Sequence, residues 1–454
     1  MALPEAFLRR MQRLLGDDYP AFLDSLSQPR CGGLRVHPGK IEPADFAARA
    51  PFALTPVPWA EEGFVYGEGE RPGLHPWHDA GVYYMQEPSA MAVGALAAPQ
   101  PGERVLDLCA APGGKTTHLA GRMSGQGILI ANEIHPQRSA ILAQSVERMG
   151  ISNCAVLNET PERLAPRFTG YFDCVVVDAP CSGEGMFRKD DTAVTEWMPD
   201  SPTRCAARQS GILDAAAEMV RPGGRMVYST CTFAPEENEG SISRFLERHP
   251  EFSIVQIDAP WFAPGHPEWV ENGNPDVHHT FRLWPHRLSG EGHYAAVLRK
   301  NDGEQGDVPT VSPLRTRDIP AEWTSLSAEL LARPLDGVLQ RGRDVLWLVP
   351  EDMPDLSGLK VRRVGVELGT LRRGRMEPAH ALSHALSPEH IARMVSYPAD
   401  SEEIRRYLHG ETLPTDEIKG WVIVAADEFP LGWGKSAGGI LKNHYPKGLR
   451  HVRG

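Results

Sequence analysis

Long apolar runs, paired cysteines and surplus positive charge are all scarce in this chain, and each scarcity excludes a class of protein. No uncharged apolar stretch is long enough to suggest a membrane span. Met1 to Arg10 lack the apolar core of a secretory leader. Leu3, Phe7, Met11, Leu14 and Leu15 fall instead on one face of a short helix. The seven cysteines are an odd number and include no C-x-x-C pair, which argues against a disulfide framework or a zinc site. Unpaired thiols point to a reducing cytoplasm. Lys and Arg total 47 against 59 Asp and Glu, a formal net charge of -12. Nucleic-acid binding by the whole surface is therefore disfavoured, and any such binding must use local patches. There is no internal repeat.

The 454 residues leave room for two to four domains. Residues 1–70 mix a helical start with short strands at Gly33 to Val36 and Gly63 to Tyr66, punctuated by Pro and Gly. From about 102 to 232 the pattern is β-α-β. Strands are expected at Arg104 to Leu108, Gly127 to Ala131, Cys154 to Leu157, Phe172 to Val177 and Arg225 to Thr230. Helices are expected at Lys115 to Met123 and His135 to Met149. Short, fully apolar strands between helices predict a mostly parallel α/β sheet covered on both faces. Runs at Phe252 to Ile257 and His293 to Arg299 would add an antiparallel edge, so the catalytic unit is drawn at 71–300. Residues 301–325 are polar and Pro-rich and read as a linker. Residues 326–454 form a second mixed α+β region, with strand-like pieces at Asp344 to Val349, Leu359 to Val366 and Trp421 to Ala425. Two basic clusters lie there: Arg362, Arg363, Arg372, Arg373 and Arg375, then Lys435, Lys442, Lys447, Arg450 and Arg453.

Leu106-Asp107-Leu108-Cys109-Ala110-Ala111-Pro112-Gly113-Gly114-Lys115-Thr116 joins a strand to a helix, the place where open α/β sheets hold nucleotide-type ligands on backbone N–H groups. A phosphate-binding loop would need Gly where Cys109 stands, and the three-glycine dinucleotide pattern is also missing. The next strand ends in Asn132-Glu133, an acid placed to accept hydrogen bonds from ribose hydroxyls. Together these suit S-adenosyl-L-methionine, which carries adenosine without phosphates.

Cys181, in Asp178-Ala179-Pro180-Cys181-Ser182-Gly183, and Cys231, in Ser229-Thr230-Cys231-Thr232, follow two strands expected to be neighbours. Both thiols should open onto the cofactor cleft. A free Cys is more often a small buried hydrophobe, the reading that suits Cys154, Cys174 and Cys205. Strand-end loops with Pro180 and Ser182-Gly183 favour chemistry instead. Cytosine C5 is too weak a nucleophile to take a methyl group unaided. A thiolate adding at C6 creates the enamine that does so, and a base then removes the C5 proton. Asp178, three residues before Cys181, can act near N3 of the base.

These segments, with Tyr84-Met85-Gln86-Glu87-Pro88-Ser89-Ala90-Met91, resemble the RNA cytosine-5 methyltransferases of the Sun-domain group over residues 80 to about 300. The resemblance implies a Rossmann-like S-adenosylmethionine-dependent sheet, Cys231 as nucleophile, and Cys181 assisting product release. It implies Asp178 at the target base and near the cofactor. Cofactor contacts would come from Cys109, Ala110, Ala111, Pro112, Gly113, Gly114, Lys115, Glu133 and Arg138. The family's Asp beyond the third strand is replaced by Asn158-Glu159-Thr160, either of whose first two residues could substitute. Arg282-Leu283-Trp284-Pro285-His286 and Gly432-Trp433-Gly434-Lys435 resemble the RsmF-type subgroup, which modifies small-subunit ribosomal RNA. That subgroup implies RNA-binding pieces at both ends, PUA-like toward the C-terminus, where Trp433 and Tyr445 could stack on unpaired bases.

The expectation is a cytoplasmic, metal-independent, monomeric enzyme making 5-methylcytosine in 16S ribosomal RNA, naked or in the assembled small subunit. The same reaction on transfer RNA and a non-catalytic ribosome-assembly role are the alternatives. A DNA cytosine methyltransferase, which would use the Pro-Cys thiol, is a third.

Overall fold

Short apolar strands between helices can bury both faces only by lying side by side in one sheet. The computed structural model, which describes residues 3–416 and 419–451, contains that sheet. Arg453 of the second basic cluster lies outside the described residues. A small antiparallel sheet comes first, from β1 (Gly33–Val36), β2 (Leu54–Val57), β3 (Ala60–Tyr66) and β4 (Tyr83–Met85), in the order β2-β3-β1-β4. The central sheet follows. β5 (Arg104–Asp107), β6 (Ile128–Asn132), β7 (Cys154–Leu157), β8 (Phe172–Asp178) and β9 (Val220–Thr230) run parallel in the order β9-β8-β5-β6-β7. Beyond β9 lie β10 (Phe252–Ile254), β11 (Ala263–Pro264), β12 (Phe281–Leu283) and β13 (His293–Lys300), all antiparallel to their neighbours.

Alternation along each parallel strand builds two cores. Val105, Leu129, Val156 and Val176 enter one, and Leu106, Ile130, Leu157 and Val177 enter the other. Helices Gly114–Met123 and Pro136–Arg148 follow β5 and β6, and helix Ser201–Met219 precedes β9. The chain leaves β5 toward β6 on one side and returns through β8 on the other. Loops at such a reversal diverge and leave a crevice at the carboxyl ends of the strands.

The opposite edge of the sheet is closed by a strand from far along the chain. After β14 (Val338–Arg341) and β15 (Val345–Val349), the apolar run at Leu359 to Val366 does not form one strand. It breaks at Gly365, whose φ is +53°. β16 (Val361–Val364) pairs antiparallel with β7, whereas β17 (Val366–Arg372) pairs with β15 and β18 (Arg375–Pro378). An uncovered β7 would present free backbone groups to other chains, and β16 covers them. Residues near 306 lie along the protein: the Gly306 N–H bonds Gly170 O at 3.0 Å, and Val308 joins the core. A five-stranded sheet from Met394–Tyr397 to Ile440–Asn443 ends the fold. No described helix is long and apolar enough to cross a membrane.

The segment after β9 is braced by a buried ion pair. Arg282 on β12 grips Glu239 with both ends of its fork, at 2.6 and 2.5 Å, and donates to Phe233 O at 3.1 Å. Its guanidinium also lies 4.7 Å from the Trp269 ring centre and 5.1 Å from that of Trp284. Neither charged side chain is more than 2 % exposed. Removing one partner strands a charge in the interior. Arg282→Ala is expected to lower the unfolding free energy by about 3–5 kcal/mol, measured by urea denaturation; a loss below about 1 kcal/mol, typical of a surface pair, would contradict this.

Candidate active site

Parallel pairing of β8 with β9 sets Asp178 opposite Ser229, so Cys181 and Cys231 leave the sheet side by side. Their Sγ atoms are 3.3 Å apart, both partly exposed and neither in a disulfide. Cross-ties fix the two loops. The Ala179 N–H bonds Ser229 O at 2.9 Å, the Gly185 N–H bonds Cys231 O at 2.8 Å, and the Ser182 and Thr232 hydroxyls meet at 2.8 Å. Gly185 is required there, because a Cβ would sit 2.9 Å from both Cys231 O and Gly292 O. The hydrogen bond to Cys231, then burial, push the Cys181 thiol well above its ordinary range. Cys181 therefore keeps its proton, within hydrogen-bond reach of Cys231.

Asp178 ends β8 in a network. Lys115 Nζ donates to Oδ2 at 2.7 Å, and Ser229 Oγ to Oδ1 at 2.8 Å. Burial works against its charge, but Lys115, His293 and these hydrogen bonds hold the carboxyl below its ordinary value. Asp178 is thus a carboxylate, and the proton of the pair resides on Lys115, whose value is raised against burial by Asp178.

The Cys109–Lys115 turn is held by its carbonyls. Arg138 donates to Ala111 O at 2.8 Å, and Ser145 to Pro112 O at 2.8 Å. Gly113, at φ +111°, opens helix Gly114–Met123; a Cβ there would strike the Ser145 side chain. Glu133, 3 % exposed, accepts the His135 N–H at 2.9 Å and faces Arg138 at 3.3 Å. Arg138 thus braces both the turn and Glu133. Asn158 spends both amide hydrogens on Glu133 O and Ile134 O, at 2.7 and 2.8 Å. Glu159 accepts the Lys360 N–H at 2.8 Å and anchors the approach to β16.

Asp107, Glu133 and Asp178 gather at the ends of β5, β6 and β8, and the other two carboxylates raise the proton affinity of Asp107. Burial pushes Asp107 up to about 7; Thr116 donates to its Oδ2 at 2.6 Å, and Oδ1 is buried with no partner among the described residues. An acid-lined crevice with an orphaned acceptor repels phosphates and suits a cationic, hydroxyl-bearing ligand. S-adenosylmethionine, a sulfonium with an amino group and a ribose, fits this donor set.

Several participants carried no signal readable in sequence. Glu237, fully buried, accepts hydrogen bonds from Ser182 N at 3.0 Å, from the Ser182 hydroxyl and from Gln209 Nε2 at 2.9 Å, and so positions the Cys181 loop. His293, next to Tyr294, which pairs with Thr230 at the end of the β9–β13 ladder, lies 3.3 Å from Glu87. Arg35 on β1 is buried and makes no ion pair among the described residues. It donates to Gly114 O at 3.2 Å, the Thr117 hydroxyl at 2.6 Å and Gln86 Oε1 at 2.9 Å, joining the N-terminal sheet to the cofactor turn.

Two C-terminal expectations are corrected. Trp433 and Tyr445 are each 3 % exposed core residues, and Trp433 Nε1 is spent on Ala379 O, so neither can stack on a base. Burial of large rings between sheets won over display. The first basic cluster is not one patch either: Arg363 is buried against Glu147 at 3.0 Å, and Arg375 pairs with Glu377 at 2.9 Å.

Known proteins place this geometry in a class. A methyltransferase homologue from Pyrococcus horikoshii matches with a TM-score of 0.59 at 28% identity, over 65% of this chain and 95% of that one. The fold is that of the Rossmann-like S-adenosylmethionine-dependent methyltransferases. Within it, residues 94–299 match the 16S rRNA methyltransferase RsmB/F family, and residues 3–88 the N-terminal domain of 16S rRNA methyltransferase RsmF. Residues 326–386 match the first C-terminal domain of the RsmF rRNA methyltransferase, and 395–451 its PUA domain. The ribosomal RNA small subunit methyltransferase F of Klebsiella pneumoniae is 34% identical over 98% of this chain and 96% of its own length. That of Erwinia tasmaniensis is 32% identical over the same shares. The chain belongs to the RsmF family of ribosomal RNA small subunit methyltransferases.

Burial raises Glu237 from 4.5 to about 8. The folded protein therefore binds a proton that the unfolded chain has released, and this group's contribution to stability is lost as pH rises through that window. Glu237→Gln is expected to flatten the fall in melting temperature between pH 5 and 8, read by calorimetry; a slope equal to that of the parent protein would contradict it.

Proposed function

We propose that this protein methylates C5 of a cytosine in 16S ribosomal RNA through a transient Cys231–C6 bond. The observation that carries the reading is the pair of strand-end thiols 3.3 Å apart, beside the Lys115–Asp178 pair. An amino-group methyltransferase needs no such thiols. The family supplies the ribosomal substrate class.

Cys231 adds to C6 as thiolate, and the electrons of the C5–C6 double bond move toward C5. S-adenosylmethionine, when bound, supplies the methyl group to that carbon. The ionised Asp178 accepts a hydrogen bond from the N3 side of the base and favours its protonated form, with Lys115 as the adjoining proton source. Loss of the C5 proton to a base re-forms the double bond and expels the Cys231 thiolate. Cys181, whose hydrogen bond to Cys231 is lost when the S–C6 bond forms, stands beside the adduct and assists this elimination. Glu133 holds ribose hydroxyls, and Gly114 and Lys115, in the first turn of their helix, present backbone N–H groups. Arg138 keeps the turn and Glu133 in register. The target base must leave its stack to reach sulfur, so unpaired or flipped cytosine is the substrate.

Cys231→Ala is expected to lower methyl transfer to small-subunit ribosomal RNA by about three orders of magnitude or more, while RNA binding survives. Cys181→Ala is expected to accumulate a protein–RNA adduct that persists in denaturing gels. Transfer retained in Cys231→Ala, or an adduct formed by it, would refute the assignment. Parallel assays with transfer RNA test the substrate class.

A further inference from the structure

We infer that a second cleft beside the catalytic crevice holds a single-stranded nucleotide flanking the target cytosine; this rests on the RNA-methylating reading above. The cleft encloses about 510 Å³, between the N-terminal sheet and the loop after Cys181. That volume lies within the ~300–1,000 Å³ typical of small-ligand sites. Arg30, Tyr66, Gln86, Glu87 and Lys189 line it, with Gly32 and Gly33 at its floor.

One wall is shared with the active site. Gln86 Nε2 lies within 3.5 Å of where a Cβ on Gly114 would stand, at the opening of the cofactor helix. Glu87 contacts His293, which lies in the field of Lys115 and Asp178. Lys189 sits on the loop that begins at Cys181, so whatever occupies the cleft touches the element carrying the second thiol.

The chemistry lining the cleft fits one nucleotide. Arg30 and Lys189 make no ion pair or side-chain hydrogen bond among the described residues; Lys189 is only in the field of Glu87, so both can reach a phosphate. The acid behind them is already committed. Glu87 caps helix Pro88–Ala97 through Ser89 N at 2.9 Å and Ala90 N at 2.6 Å. Glu68 alone adds an acid at the rim. The Tyr66 hydroxyl has no partner among the described residues, and its ring is pinned against Gly32, where any Cβ would collide with it. A fixed aromatic ring flanked by free cations is how unpaired RNA is gripped, by stacking and by phosphate contact. A flipped cytosine also needs its neighbours held, because nothing else keeps the strand open.

The test is steady-state methylation of a small-subunit ribosomal RNA transcript by the full chain, together with equilibrium binding of that transcript at several salt concentrations. Arg30→Ala, Lys189→Ala and Tyr66→Ala are each expected to raise KM for RNA about tenfold, with kcat and KM for S-adenosylmethionine within twofold. The two cation variants are also expected to lower the salt slope of binding by about 0.7 each. Lys189→Arg should restore KM. Unchanged KM and unchanged salt slope in Arg30→Ala and Lys189→Ala would overturn the inference. If the unaltered protein transfers no methyl group to this RNA, the functional reading fails, and the salt slopes alone still decide whether the cleft binds RNA.

Discussion

The active site depends on the parallel pairing of β8 with β9. That ladder sets Asp178 against Ser229 and delivers two thiols to 3.3 Å from chain positions 50 residues apart. A shift of one residue would turn one side chain of each facing pair to the other core. The surrounding interactions are arranged to keep the loops from drifting. Glu237 holds Ser182, Gly185 packs under Cys231 O, and Arg10 reaches Glu184 at 2.5 Å, where the Trp197 indole N–H also donates. The second strand-end loop is therefore clamped from the sheet, from the segment after Cys231 and from the N-terminal helix.

Electrostatics divides the crevice into two zones. Around the thiols, Lys115 and the Ser229 hydroxyl offset Asp178, so one carboxylate stays charged where a base would be held. Toward β5 and β6, Glu133 is offset only by the half-exposed Arg138 at 3.3 Å, and burial brings Asp107 to about 7. A buried acid whose second oxygen has no partner among the described residues disfavours phosphate and favours a sulfonium. Arg35 ties the N-terminal sheet to the start of the cofactor helix, so the module nearest the proposed RNA cleft and the cofactor turn form one packed unit.

Much of this was readable from local pattern. Alternation of apolar runs with helices identified β5 to β9 within a few residues, and motif position placed Cys181 and Cys231 together. What escaped was non-local. Glu237 acts on Ser182 across 55 residues, and Ser89 meets His293 across 204, spacings that carry no periodicity. β16 reads as part of the C-terminal region because nothing in Val361–Val364 says which sheet edge it will cover. Trp433 and Tyr445 show the converse error: aromatic residues amid lysines look like a binding face until burial is known.

The most direct test is to incubate the protein and its methyl donor with small-subunit ribosomal RNA containing 5-fluorocytosine, whose C5 substituent cannot leave as a proton, and to identify the RNA-linked peptide by mass spectrometry. The account predicts linkage at Cys231. Linkage at Cys181, or methylated RNA with no linked peptide, would contradict it.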